Sequence, residues 1–217
     1  MVRIFPLIFV LLWSSAFITT KPIIDNSDPF AALAFRFFFV AIGFYLFSLY
    51  TNQSIIINKR NFTESFFSGV LFHGFYLGGV FYSISIGMPT GLAALIVTLQ
   101  PILTNILSGP ILNEKVTLKQ WIGVLLGFLG AALVLGLDVG TSIPLFGLVA
   151  TIIALVSITA STIWQKKLSN NLSLTVSNFY QAVGGCLFHV LLVIFFTDPY
   201  IDFTKTFFIA MSHQIFL

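Results

Sequence analysis

Over 217 residues, 58% of the side chains are hydrophobic and only 8% are charged. Soluble domains carry about 25% charged residues, so this composition excludes a chain solvated by water on every side. The net charge of +3 reads as membrane orientation rather than as an interface for nucleic acid. The 26 Phe fit a lipid-facing surface and equally an AT-rich coding bias. The single Cys186 falls inside an apolar stretch, so no disulfide within the chain can form.

Taken in chain order, the apolar stretches predict helical spans near 4–20, 30–50, 65–86, 90–112, 120–137, 144–165 and 174–196. Each is close to the roughly 18 residues or more that a helix needs to cross the hydrocarbon core. The loops between them are too short to hold a soluble domain. The first stretch follows a single base, Arg3, and has no small-residue cleavage pattern after it, so it is read as a span and not a signal peptide. From about Thr206 the chain is apolar again up to Leu217, and the expectation is a chain cut off inside an eighth helix. The fold class expected is an all-α integral membrane bundle.

With the N-terminus in the cytoplasm, Arg3, Lys59, Arg60, Lys115, Lys119, Lys166 and Lys167 fall inside, and only Lys21 and Lys205 fall outside. Lys and Arg gather on the cytoplasmic side of membrane proteins, so seven against two predicts that orientation. Arg36 is the remaining base. It sits about 10 Å into the second span at about 1.5 Å per residue. Snorkelling to the headgroups, with Asp25 or Asp28 as a partner, and contact with an anion in a wet cavity both fit it.

Five spans precede a break at Asp138–Pro144, and the pattern then restarts. Sliding the chain by 145 residues lays Lys21 on Lys166, Asn26 on Asn171 and Arg36 on Gln181. Because five is odd, a second copy must run opposite to the first, as in the inverted repeats of secondary transporters. The boundaries expected are 1–138 for a first repeat and 139–217 for a partial second one.

Several runs carry a resemblance. Leu11-Leu12-Trp13-Ser14-Ser15-Ala16-Phe17 and Pro29-Phe30-Ala31-Ala32-Leu33-Ala34-Phe35-Arg36-Phe37 open spans one and two. Gly91-Leu92-Ala93-Ala94-Leu95-Ile96-Val97-Thr98-Leu99-Gln100-Pro101 lies in span four, followed by Asn113-Glu114-Lys115-Val116-Thr117 and Gln120-Trp121-Ile122-Gly123. In this order they resemble the EamA domain of the drug/metabolite transporter superfamily, well over about 3–137 and loosely over 144–217. The resemblance implies two five-helix repeats, here with the C-terminal spans missing. It also implies a multi-pass protein of the inner (plasma) membrane that moves small metabolites, often outward.

Candidate residues for a path come from polar faces. In span four, Gly91, Ala94, Thr98, Pro101, Asn105 and Ser108 share a stripe at helical spacing. Close helix packing explains the small residues. Pro101 adds a missing backbone donor and a clash four residues back, hence a kink and a free carbonyl. Gln100, about 15 Å from the outer end by helix rise, is a costly group to leave in lipid. In span three, Gly69, His73, Tyr76 and Ser83 share a face; in span seven, Asn178, Gln181, Gly185 and His189 do. His73 fits a helix–helix hydrogen bond as well as substrate contact or a proton relay. Trp13 and Ser14 in span one add an aromatic wall and a hydroxyl. The substrate-binding set expected is therefore Trp13, Ser14, Arg36, His73, Tyr76, Thr98, Gln100, Pro101, Asn105 and Gln181, between spans one, three and four and their partners. In span five, Gly123, Gly127 and Ala131 form a small-residue stripe with no polar company, read as packing or as contact with a second copy. Glu114 beside Lys115 fits a surface ion pair or a cytoplasmic gate.

No Asp or Glu falls within the core of a span, which disfavours exchange of a cationic drug for protons. Arg36, His73, Gln100 and Gln181 instead suit a carboxylate-bearing cargo, and amino acids or related organic acids are expected. No metal or cofactor is expected, since the three His lie on separate spans and no phosphate loop is present. Partners expected are the small metabolite, the lipid bilayer and a second copy of the chain, with no nucleic acid. The same absences argue against an enzyme. A retinal protein would need a Lys in span seven, which has none. A heptahelical receptor would conventionally reverse the orientation. A fragment without transport of its own is the remaining alternative.

Overall fold

The computed structural model describes residues 5–112, 116–135, 143–168 and 172–216. Among these residues the chain is built from eight helical segments. They are α1 (Phe5–Ile24), α2 (Pro29–Tyr50), α3 (Lys59–Ser85), α4 (Thr90–Val97 and Gln100–Leu112), α5 (Leu118–Leu135), α6 (Leu145–Leu168), α7 (Leu174–Phe196) and α8 (Lys205–Phe216). Five of them are long and apolar enough to cross a membrane: Pro29–Tyr50, Lys59–Ser85, Thr90–Ile111, Leu145–Lys166 and Leu174–Phe196. Shorter apolar runs lie at Val10–Ile24 and Leu118–Gly130. This is an all-helical, polytopic membrane protein.

The helix starts follow from their caps. Asp28 accepts hydrogen bonds from the backbone N–H groups of Phe30 (3.0 Å) and Ala31 (2.8 Å), and Pro29 fills the first helical position of α2. A proline there loses nothing, because that N–H has no partner in the helix anyway. Asn58 caps α3 through the Asn61 N–H at 2.8 Å. α3 consequently begins at Lys59, earlier than the expected 65. The polar turn 59–64 is helical because it is capped and braced by the Arg60–Glu64 pair at 2.9 Å. Hydropathy alone places its start only where the apolar run begins.

Two irregularities interrupt the spans. Residues Val70–Tyr76 in α3 form a π-helical stretch, a feature frequent at functional sites. α4 breaks at Thr98–Leu99. Pro101 cannot donate to the Val97 carbonyl, so Leu99 N–H turns to Ile96 O (3.1 Å) before Leu103 N–H resumes the α pattern on Leu99 O (3.1 Å). The expected kink is realised as a break two residues ahead of the proline.

The connections of α2 and α7 meet at both ends of these helices. At one end the α1–α2 and α7–α8 connections join: Asp28 N–H donates to Tyr200 O (3.0 Å) and Asp202 N–H to Asn26 O (2.8 Å). At the other, Tyr180 Oη donates to Ile55 O (2.8 Å) and Ser173 Oγ to Gln53 Oε1 (2.6 Å). α2 packs along α7, α3 sits between α6 and α7, and α1 lies against α8. The α3–α7 approach depends on glycine: a Cβ on Gly184 would stand 2.5 Å from Phe66 O, and one on Gly185 2.5 Å from His73 Cβ. Phe37, Tyr76, Phe81, Met88 and Phe207 fill the core, while Leu126, Leu133, Phe195 and Phe196 point outward. Gly123 and Gly127 of α5 meet open space, so packing within the described chain does not use that stripe. Glu114, Lys115 and most of the Asp138–Pro144 break lie outside the described residues.

Candidate functional site

Two cavities meet around α1. The inner one, about 90 Å³, is lined by Trp13, Phe17, Arg36, His73, Tyr76 and Gln214, among others. The outer one, about 1250 Å³, is lined by Trp13, Ser14, Thr98, Gln100, Pro101 and Thr162, among others. Trp13, Phe17 and Phe72 form walls of both. Of the ten residues expected to bind substrate, eight therefore line one or both cavities, and Asn105 and Gln181 line neither.

Arg36 does not snorkel, and it has neither Asp25 nor Asp28 as a partner. Asp25 is paired with Lys21, and Asp28 is occupied in capping α2. Arg36 turns inward instead, where Nη1 donates to Gln214 Oε1 at 3.0 Å and the guanidinium carbon stands 5.4 Å from the centre of the Phe37 ring. Burial of a cation is tolerable only with hydrogen-bonding partners, and the side-chain amide of Gln214 supplies one. That amide is itself fixed by α1, because Nε2 donates to Ala16 O (3.0 Å), Thr19 Oγ1 (3.1 Å) and Thr20 Oγ1 (3.2 Å).

His73 brings its ring to the inner cavity and stacks at a tilt on Phe37, 4.5 Å between centres. The helix–helix hydrogen bond at this position uses its backbone: His189 Nε2–H donates to His73 O at 2.9 Å. The carbonyl can only accept, which fixes the tautomer of His189. Tyr76 is 2% exposed. Ser14 donates to Val10 O (2.7 Å) within its own helix.

In α4, Gln100 Nε2 donates to Thr162 Oγ1 of α6 at 3.2 Å and lies 3.4 Å from Thr104 Oγ1. This supplies the partner that a polar group needs away from water. Thr98 and Pro101 are exposed to the outer cavity, whereas Asn105 is half-buried below it and accepts on its backbone O from Ser108 Oγ (3.1 Å). Gln181 is buried in a closed network: Gln165 Nε2 donates to its Oε1 (3.0 Å), and its own Nε2 donates to Ser177 Oγ (3.0 Å). Nearby, Ser68 and Ser161 lie 3.2 Å apart and Ser65 and Ser177 3.3 Å. The polar faces of spans three and seven thus meet each other and α6, while that of span four faces α1 and α6 across the outer cavity.

Gln214, Phe17, Phe72 and Thr162 were absent from the sequence-based set. Gln214 carried a usable signal, being a lone amide in the apolar run Phe207–Phe216, on the same argument as Gln100. Among the described residues, no group of three or more His, Cys, Asp or Glu could hold a metal ion.

A further cavity of about 630 Å³ is lined farther along α4 by Leu103 and Leu107 and on another face of α6 by Thr159 and Ile163, with Arg60 and Glu64 beside it. Along α4 the two cavities follow one another, with Gln100 and Pro101 at the end of the first and Leu103 opening the second, while on α6 their linings interleave around Thr162.

The model of the EamA-like transporter family matches residues 3–136. The chain is also similar to a protein of Bacillus subtilis (strain 168) named as the uncharacterized transporter YvbV. The two are 28% identical over 157 residues, which is 67% of this chain and 50% of that protein. An uncharacterized transporter of Archaeoglobus fulgidus is 28% identical over 130 residues, 58% of this chain and 44% of that protein. The chain spans about half the length of the curated relatives it matches. With the family model covering well over half of its residues, the chain belongs to the EamA-like transporter family.

Proposed function

We propose that this chain is part of a multi-pass inner-membrane transporter that moves small metabolites by alternating access between two inverted repeats. Amino acids or related organic acids are the favoured cargo, efflux the favoured direction, and the N-terminus is cytoplasmic. The observation that carries the reading is a mirrored register. Adding 145 turns Arg36 into Gln181 and Gly69 into Gln214. Arg36 of α2 meets Gln214 of α8, and its counterpart Gln181 of α7 meets Gly69 of α3, whose missing side chain admits the Gln181 backbone. Ser68 meets Ser161, and one residue from the mirrored position His213 Nε2 lies 3.1 Å from Ser15 Oγ. Two helix pairs related in this way are what a pseudo-two-fold axis in the membrane plane would produce.

Two cavities lined by successive parts of α4, with the Gln100–Thr162 contact near their boundary on that helix, support alternating access. The orientation is supported by Lys59, Arg60 and Lys166 at the end where the α2–α3 connection meets α7, opposite Asp25, Asp28 and Asp202. Energy coupling is either a proton carried on a His or a simple gradient of the cargo. The test is flux into vesicles carrying the complete protein. Labelled amino and organic acids should exchange; movement of a cationic dye in their place would overturn the cargo.

A further inference from the structure

The transport reading leaves the cargo divided between zwitterionic amino acids and acids that carry only negative charge. The inner cavity discriminates between them. Its permanent cation is Arg36, and no carboxylate lines either cavity there. Ion pairs among the described residues are Lys21–Asp25 and Arg60–Glu64, neither of which involves Arg36. The guanidinium makes one hydrogen bond to a neutral amide, and its Nε is shielded with no acceptor. Gln214 cannot turn its donors toward this space, because its Nε2 is spent on Ala16, Thr19 and Thr20. A sequestered guanidinium in this state is short of one anion, and the planar fork of Arg matches a carboxylate.

The remaining walls set the other half of the cargo. Trp13, Phe17 and Phe72 line both the inner cavity and the outer one, which adds Val10, Ile18 and Ile158. A volume of about 90 Å³ holds a headgroup and little more, so any longer body must run along the aromatic wall. Lys21, at the rim of the outer cavity, is already paired with Asp25. Nothing in either lining offers counter-charge to an ammonium, and one guanidinium does not balance a dianion.

We propose that the Arg36–Gln214 pair binds the carboxylate of a small amphipathic monocarboxylate whose apolar body lies along Trp13, Phe17 and Phe72. Arg36 is the binding residue, and Gln214 is a positioning residue that holds the guanidinium toward the cavity. The proposal names the cargo class of the same site and rests on the transport reading above.

The test is thermal unfolding of the complete protein in detergent micelles, titrated with four six-carbon probes. Hexanoate carries the carboxylate alone, norleucine adds the α-ammonium, hexanamide removes the charge and hexylamine reverses it. Hexanoate should raise the Tm, and the other three should bind at least about tenfold more weakly, about 1.4 kcal/mol. Arg36→Gln should abolish the hexanoate shift, and Arg36→Lys should keep a weaker preference for the anion. Should Arg36→Gln fail to fold, the wild-type probe series decides by itself. Norleucine or hexylamine binding as well as hexanoate, or a folded Arg36→Gln protein that keeps the hexanoate shift, overturns the proposal. Flux separates the two claims. Norleucine flux without hexanoate binding sinks the monocarboxylate site and keeps transport; hexanoate binding at Arg36 with no flux of any acid keeps the site and sinks transport.

Discussion

Replacing Gln214 by Leu removes two kinds of hydrogen bond with almost no change in volume. Gln214 Oε1 accepts from Arg36 Nη1 at 3.0 Å, and Nε2 donates to α1 at 3.0 Å or more. A bond to a charged group is worth about 1.5–3 kcal/mol and a neutral one about 0.5–1.5 kcal/mol in soluble proteins. Inside membranes the mean falls to about 0.6 kcal/mol with a maximum near 1.7, because the unfolded chain also finds partners. The charge on Arg36 puts this pair at the upper end of that range, so Gln214→Leu should cost about 2 kcal/mol in total. Leu fills the space, so no cavity term is added. The decisive number is the coupling between Gln214→Leu and Arg36→Leu in a double-mutant cycle, measured by equilibrium unfolding in mixed detergent micelles. The geometry predicts about 1 kcal/mol or more. Independent sites add to within about 0.5 kcal/mol, so a coupling below that would refute the clamp and leave Gln214 as a helix contact of α1.

Two further outcomes follow from the seams between helices. In a Cys186→Ala background, Thr98→Cys and Pro101→Cys should react with a membrane-impermeant thiol reagent, because both residues are exposed to the outer cavity. Asn105→Cys should be protected, and protection of all three would turn the α4 stripe into a dry interface. Gly184→Ala places a methyl 2.5 Å from Phe66 O, so α3 and α7 must part, at about 1–3 kcal/mol for overpacking. Gly43, with open space around it, is the control, and equal stability of Gly184→Ala and Gly43→Ala would contradict the packing.

The helical segments were legible because lipid permits little else: a run of apolar residues must satisfy its backbone internally. The start of α3 was not, since residues 59–64 are polar and become helical through the Asn58 cap and the Arg60–Glu64 pair. Arg36 and Gln100 stood out as polar groups in apolar runs, and both face inward as that argument requires. Their partners did not stand out. Gln214 is 178 residues from Arg36 and Thr162 is 62 from Gln100, and helical spacing carries no information across such distances. Gln181 was grouped with the path by its polarity; the chain instead closes it into a network with Gln165 and Ser177. The π-helical stretch that carries His73 and Tyr76, packed between α6 and α7, has no local sequence mark.

The central claim is that the two cavities sharing Trp13 as a wall belong to a transport path. The most direct measurement is exchange of labelled small organic acids across vesicles carrying the complete protein, wild type against Gln100→Leu. The substitution removes the Thr162 contact at the α4–α6 seam while lowering the cost of membrane insertion. The account predicts normal insertion with exchange reduced about tenfold, equivalent to about 1.4 kcal/mol at the barrier. Wild-type exchange in the variant would contradict it and return Gln100 to the packing between α4 and α6.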